Sequence, residues 1–366
     1  MRIAGYALLL SLAASCSSGT CRGGAGAAPG IVSSAPSAPS VTAPAVDEGA
    51  EERLLARIEP MRKRGRKLEV DPPDDIEERA FQAWVAAAAS AARDGGAPPA
   101  APRGFAITVA PGEGVWLLSE GRRRRGAGAL ALRVGPATPL IVEAPHTFYD
   151  QGTLPIAISV FTAQRARALL INTAHRYAGR PRPDDGDEEA EGVGGAGGAE
   201  GDGGAGGEGG AGCEGGAGGA GGGRGKSGVL PAQDVAHAER SFFLAAHRGL
   251  LDAHPGAPTA QFHGFQDKSA PGVAVIVSAV GPGADLPTLL AALRQALPDD
   301  TIHGYPSEIR KLGGESNAQA RGSLGAGAPF YHVEISRTLR DRLVEGAALR
   351  RRFAAAFSPC GPAPKR

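Results

Sequence analysis

Only 5% of the 366 residues are aromatic, so a core has to be assembled from Ala, Val, Leu and Ile. The formal net charge is +1, which removes any overall electrostatic reason to expect a nucleic acid as partner. Four cysteines stand at positions 16, 21, 213 and 360 with no CxxC spacing, which excludes a cysteine-rich zinc module and a disulfide framework. No Ser or Cys sits in a recognisable nucleophile setting, which argues against covalent hydrolysis. The N-terminal apolar run "IAGYALLLSLAA" is too short to span a bilayer. Two residue types are in excess instead: 56 glycines and 29 prolines are more than a compact domain uses, so part of the chain is expected to stay outside any core.

The first residues have the pattern of an export signal, with Arg2 ahead of the apolar run and "SCSSGTC" after it. The segment Leu12-Ala13-Ala14-Ser15-Cys16 resembles a bacterial lipobox, although Ala13 stands where Leu is usual. Residues 1–20 are therefore expected to be a signal peptide and Cys16 the lipidation site. The product would be an exported periplasmic or outer-membrane lipoprotein, held to the membrane by an N-terminal lipid anchor. A conventionally cleaved signal is the alternative. Residues 21–67, rich in Ser, Ala, Pro and Gly and ending in the basic "MRKRGRK", read as a disordered tether. The domain is expected over 68–358, with a tail at 359–366. It is interrupted at 184–228 by an acidic and then Gly/Ala-rich insertion that cannot bury enough apolar surface to fold. Within that insertion "AGGGRGKS" imitates a phosphate loop, but Ala220 replaces the first glycine and no strand precedes it.

Between these segments the apolar pattern alternates between two periods. "DDIEERAFQAWVAAAASAARDGG" predicts a helix with Ile76, Phe81, Trp84 and Val85 on one face. "FAITVA", "VWLLSE" and "ALALRV" predict strands, with "GRRRRG" as a solvated hairpin tip. Then strands ("PLIVEA", "ALLINTA", "TAQFHGF", "VAVIVSAV", "FYHVEIS") alternate with helices ("ISVFTAQRA", "RSFFLAAHRGLLDAH", "LPTLLAALRQAL" and one long C-terminal helix from Arg337). That order predicts an α/β domain with a largely covered central sheet.

Polar residues gather where the apolar strands end: His146 and Asp150, His175 and Arg176, His263, then His332, Glu334 and Arg337. In an open α/β sheet, ligands bind beyond the carboxyl ends of the strands, so these positions can meet in one crevice. The His146-xxx-Asp150 spacing puts both side chains on one side of a helical turn. With His263 they offer two imidazoles and one carboxylate, a set that suits a single Zn2+ per chain and leaves a fourth position for water. Glu334 is then the candidate general base; on an alternating strand it shares a face with His332 and Ser336, while Val333 and Ile335 point into the core. A salt bridge from Glu334 to Arg337 or Arg340 is the competing reading.

"APHTFYDQGT", "FHGF" and "FYHVEISRTLR" together resemble the N-formylglutamate amidohydrolase group and its relatives, the phage-type poly-γ-glutamate hydrolases. The resemblance covers roughly residues 139 to 355, without the insertion. It implies a phosphorylase/hydrolase-like, zinc-carboxypeptidase-like fold, a mixed central sheet flanked by helices. It also implies zinc held by His146, Asp150 and His263, with Glu334 as base; the spacing to Asp150 is one residue longer than in the HxxE carboxypeptidases. Arg337 would hold Glu334 or bind a substrate carboxylate. Asp234 and His237 would support the ligands from behind, with His175 in the same role. Asn317 and Arg321, on a loop before the last strand, and Arg176 are candidates for binding a substrate carboxylate; an ordinary exposed loop explains the first pair equally well.

Two functions follow. One is an exported zinc-dependent hydrolase of amide bonds in a peptide or small amide, such as a cell-wall or γ-glutamyl peptide. The other is a non-catalytic lipoprotein using the same fold for binding or scaffolding. Stoichiometric metal separates them.

Overall fold

The computed structural model describes residues 48–110, 114–122, 124–178 and 232–358. The expected signal peptide, Cys16, the 184–228 insertion and the 359–366 tail lie outside the described residues, as do all four cysteines.

Among the described residues nine strands form one mixed sheet: β1 (Phe105–Ala110), β2 (Val115–Glu120), β3 (Ala129–Arg133), β4 (Thr138–Ala144), β5 (Ala166–Ile171), β6 (Thr259–Phe265), β7 (Val275–Val280), β8 (Ile302–Gly304) and β9 (Phe330–Ser336). Their spatial order is β1-β2-β3-β5-β4-β6-β9-β7-β8. The four central strands, β5, β4, β6 and β9, run parallel. Antiparallel pairs flank them at β3–β5 and β7–β9. This is the mixed sheet flanked by helices that the sequence predicts.

Among the described residues eight α-helices cover it: α1 (Glu48–Gly65), α2 (Asp75–Arg93), α3 (Thr153–Ala163), α4 (Phe242–Ala253), α5 (Leu286–Ala296), α6 (Ala318–Gly325), α7 (Arg337–Glu345) and α8 (Ala347–Ala355). Strand alternation sorts the side chains. Val142, Phe262, Val333 and Ile335 enter a core with α1, α3, α5, α7 and α8. On the opposite face Trp116, Leu130 and Leu170 pack against α2 and α4. That second face is apolar only over part of its width. On β4, β6 and β9 the positions alternating with the first core are Glu143, Gln261, His263, His332 and Glu334, all buried.

Local chemistry explains the helix ends. Asp74 caps α2 with a reciprocal Glu77 bond, the capping-box arrangement. Ser241 caps α4 through the Leu244 N–H, and Ser336 caps α7 through the Leu339 N–H. The α2 stripe is Phe81, Val85, Ala88, Ala89 and Ala92. Ile76, expected on it, is 72% exposed; five residues at about 100° each place it roughly 140° from Phe81.

Three expectations need correction. The tether does not reach residue 67: α1 is an ordered helix whose Leu54 and Ile58 are buried in the first core. The single C-terminal helix is two, α7 and α8, broken at Gly346, where extended backbone (φ −99°, ψ 89°) replaces helical values. Asn317 and Arg321 do not share a plain loop, because Asn317 caps α6 and Arg321 lies on that helix. Short or interrupted helices such as α6 and the α7–α8 pair carry weak periodicity, and in α1 the charged residues outnumber the buried stripe, so packing against the sheet decides all of them.

Among the described residues no helix is long and apolar enough to cross a membrane. Burying Leu54 and Ile58 stabilises the domain by roughly 1.5–3 kcal/mol each. A chain beginning at residue 68 should therefore be less stable than one beginning at residue 46, by about 3 kcal/mol of unfolding free energy in denaturant titration. Equal stabilities would show that α1 contributes nothing to the fold.

Candidate metal centre

Chain order places the centre. From β4 the chain passes through α3 to β5 on one side, and the later strand β6 lies on the other side of β4. The carboxyl ends of β4 and β6 thus flank a topological switch point, where a parallel sheet opens a crevice. His146 lies two residues beyond β4, and His263 lies near the end of β6.

The Asp150 N–H donates to the His146 carbonyl at 2.8 Å, closing the turn that the spacing predicts. Asp150 Oδ2 then stands 3.6 Å from His146 Nδ1 and 3.7 Å from His263 Nδ1. All three residues are buried, and each offers a ligand atom within 4.8 Å of the others. Donors about 2.1 Å from a tetrahedral ion stand roughly 3.4 Å apart. The donors fit a small divalent cation; the separations are too long for good hydrogen bonds.

Both imidazoles are anchored by their far nitrogen. His146 Nε2 lies 2.8 Å from Asp234 Oδ1, and His263 Nε2 lies 2.7 Å from Gln261 Oε1. Such contacts fix ring orientation in metal-binding histidines. Asp234 is itself held: Arg176 Nη2 donates to its Oδ2 at 2.7 Å, and His237 Nδ1 approaches the same oxygen at 3.1 Å. Burial opposes the charge on Asp234, but His146, His237 and Arg176 outweigh it and hold its carboxyl well below the usual range. For His146, burial is likewise outweighed by Asp234, and its pKa is raised. Burial, reinforced by His332 and His146, keeps His263 well below the ordinary imidazole value.

Glu334 sits beside His263 in the β6–β9 register and 3.7 Å from His332 Nε2. His263, His332 and Glu334 form a second group of potential ligands. Burial, with the nearby Asp150 charge, pushes the Glu334 carboxyl up to about 8; burial pushes His332 down to about 3. Among the described residues, Glu334 Oε2 and His332 Nδ1 are buried without a hydrogen-bond partner. Orphaned polar atoms of this kind mark a place where a ligand, ion or water completes the set.

The remaining candidates divide. Arg176 stacks over Tyr149 and Tyr177 and is committed to Asp234, so it supports His146 instead of offering a free cation to a substrate. Arg337 is bound by Asp341 and Gln151 towards the surface. Arg340 is buried, donates to the Gln151 and Phe265 carbonyls and pulls against the upward shift of Glu334. Its guanidinium lies where a Cβ on Gly264 would be, 2.0 Å from Nη1, so a side chain beside His263 would force Arg340 to move. Asn317 is 1% exposed and engaged with the α6 backbone and Gln261, which removes it as a carboxylate binder. Arg321 donates to the Ser316 carbonyl at the surface. His175 accepts from the Tyr177 N–H and packs against Phe148 and Tyr177.

Sequence reasoning missed Gln261, Glu143 and His247. A signal existed: Glu143 and Gln261 are polar residues inside otherwise apolar strands, and Gln261 shares its strand face with His263. Also unforeseen is α1, whose Arg62 donates to the Thr147 carbonyl at 3.3 Å and stacks on Phe148, bracing the turn that carries His146.

Metal entry must displace the proton from Glu334 or leave a neutral acid beside the ion. Apparent zinc affinity should therefore rise with pH towards about 8, and less steeply in Glu334→Gln. Equal slopes, measured by competition titration, would show Glu334 already ionised in the metal-free protein. Asp234→Asn should weaken zinc binding about 10–100-fold.

No protein-family model and no curated protein matches the sequence. Among solved structures the chain is similar to gene product Atu2144 from Agrobacterium tumefaciens, at 12% identity over 61% of this chain and 88% of that one, with a TM-score of 0.34. It is similar to N-formylglutamate amidohydrolase from Ralstonia eutropha JMP134, at 14% identity over 62% and 94%, with a TM-score of 0.32. It is also similar to a candidate metallopeptidase from Shewanella denitrificans OS217, at 14% identity over 79% and 92%, with a TM-score of 0.31. These likenesses are of coarse architecture and carry no conclusion about reaction or substrate.

Proposed function

We propose that the protein is a zinc-dependent hydrolase of amide bonds. One observation carries the reading: His146 and His263, each anchored through Nε2, turn Nδ1 towards the same Asp150 oxygen at 3.6 and 3.7 Å. A shared ion accounts for two ring nitrogens of separate chain segments facing one carboxylate oxygen beyond hydrogen-bond distance.

His146, Asp150 and His263 would hold the ion. When bound, a divalent ion polarises a carbonyl and makes water acidic enough to attack near neutral pH. Glu334 takes the proton of the attacking water and delivers it to the leaving amine. A carboxyl pushed up to about 8 without metal would be lowered beside a dication towards the range a base needs at neutral pH. Arg340 opposes the buried negative charge as Glu334 ionises. Arg176, Asp234 and His237 hold the His146 ring still, so little orientation is lost as substrate arrives.

The substrate class follows from location in this reading. With Cys16 lipidated, the enzyme works outside the cytoplasm, on a cell-wall or γ-glutamyl peptide. The expectation of an exported lipoprotein rests on the N-terminal sequence alone.

Glu334→Gln should retain one zinc per chain and lose at least about 100-fold in kcat on amide substrates, whereas His263→Ala should lose the metal. Full turnover in Glu334→Gln removes Glu334 as base. A wild-type protein without zinc or turnover puts the non-catalytic binding reading ahead.

A further inference from the structure

A neutral imidazole carries its proton on one nitrogen, and only the Nε2–H form of His263 presents a bare Nδ1 to Asp150. We propose that Gln261 is the positioning residue that imposes this form, and that its own amide is locked by backbone groups at both ends. The proposal rests on the metal-centre reading above.

Two independent contacts determine which way the Gln261 amide points. On one side Asn317 Oδ1 accepts from the backbone N–H groups of Gln319 and Ala320 at 2.9 and 3.0 Å. Those groups can only donate, so Asn317 must turn Nδ2 towards Gln261 Oε1, which it meets at 2.5 Å. On the other side Gln319 Nε2 donates to the Val235 carbonyl at 2.9 Å. That carbonyl can only accept, so Gln319 turns Oε1 to Gln261 Nε2 at 3.2 Å. Glu143 Oε2 accepts from the same Gln261 nitrogen at 2.8 Å. Asn and Gln orientations are ordinarily open to reversal, but a flip here would set acceptor against acceptor and donor against donor at buried positions. Gln261 Oε1 therefore faces His263 Nε2 as an acceptor at 2.7 Å, and that nitrogen must carry the hydrogen.

Behind Gln261 the polar chain continues. Glu143 Oε1 lies 2.8 Å from His247 Nδ1, and His247 Nε2 lies 3.1 Å from Ser323 Oγ. A serine, a histidine and a carboxylate in this order would suit a nucleophile, but all three are 0% exposed and no substrate carbonyl can reach Ser323. The trio instead holds Glu143 in place as the acceptor that Gln261 requires. His263 thus inherits its orientation from α4, α6 and the 232–236 segment, through side chains that never touch substrate.

The decisive experiment records long-range 1H–15N imidazole correlations in the metal-free full chain, with zinc affinity measured in parallel by competition. Wild-type His263 should be Nε2–H. Asn317→Asp keeps the oxygen that caps α6 but replaces the donor facing Gln261 with an acceptor. It should shift His263 away from the pure Nε2–H form and weaken zinc about 10–100-fold, with folding verified by the remaining spectrum. Gln261→Met, of similar length, should do the same. An Nδ1–H form in the wild type overturns the proposal without any mutation. So does an Asn317→Asp or Gln261→Met protein with unchanged tautomer and zinc affinity. Wild-type His263 in the Nε2–H form with no affinity for zinc would uphold the lock and sink the hydrolase reading.

Discussion

Asp150 and Glu334 are buried near one another at the ends of parallel strands, where burial and mutual repulsion oppose charging both, and Arg340, His146 and Arg176 offset that only in part. The rest of the centre follows from that constraint. In the metal-free protein the tension is relieved by protonation, with Glu334 pushed up to about 8 by burial and by Asp150. A dication among His146, Asp150 and His263, three residues whose donor atoms lie within 4.8 Å of one another, would relieve it differently, by adding positive charge.

Such an arrangement is expensive unless its members are held rigidly, because buried polar groups gain little from partners that wander. Two supports do this from opposite sides. Arg176 and His237 fix Asp234, which fixes His146. Gln261, set by Asn317, Gln319 and Glu143, fixes His263. The first support draws on charge and lies partly open, since the His237 side chain is 47% exposed. The second is fully buried and works mainly through the direction of hydrogen bonds. α1 braces the turn that carries His146 through Arg62, and α6 with its cap supplies Asn317 and Gln319 to the second support.

The apolar strands and the longer helices are legible in the sequence because alternation and helical periodicity are local properties. So are the ends of the strands, and with them His146, Asp150, His263 and Glu334, since a polar residue just past an apolar run is visible without knowing its neighbours. Asn before a short polar stretch reads as loop chemistry, and the role of Asn317 as a buried cap appears only once α6 is docked beside β6. In the basic stretch ending α1 the charges dominate the pattern, while Leu54 and Ile58 supply a buried stripe only two residues deep.

Local pattern is enough to establish the α/β class, the elements with strong periodicity, and the chemistry available at the strand ends. Which strands are neighbours emerges only in the folded chain, because pairing of β4 with β6 and of β6 with β9 joins residues more than sixty positions apart. Those pairings bring Glu143 to Gln261 and His263 to Glu334. They also convert a scattered set of polar residues into donors and acceptors whose directions are fixed. Hydrogen-bond direction is a property of the partners on both sides of a group, and one strand read alone supplies neither.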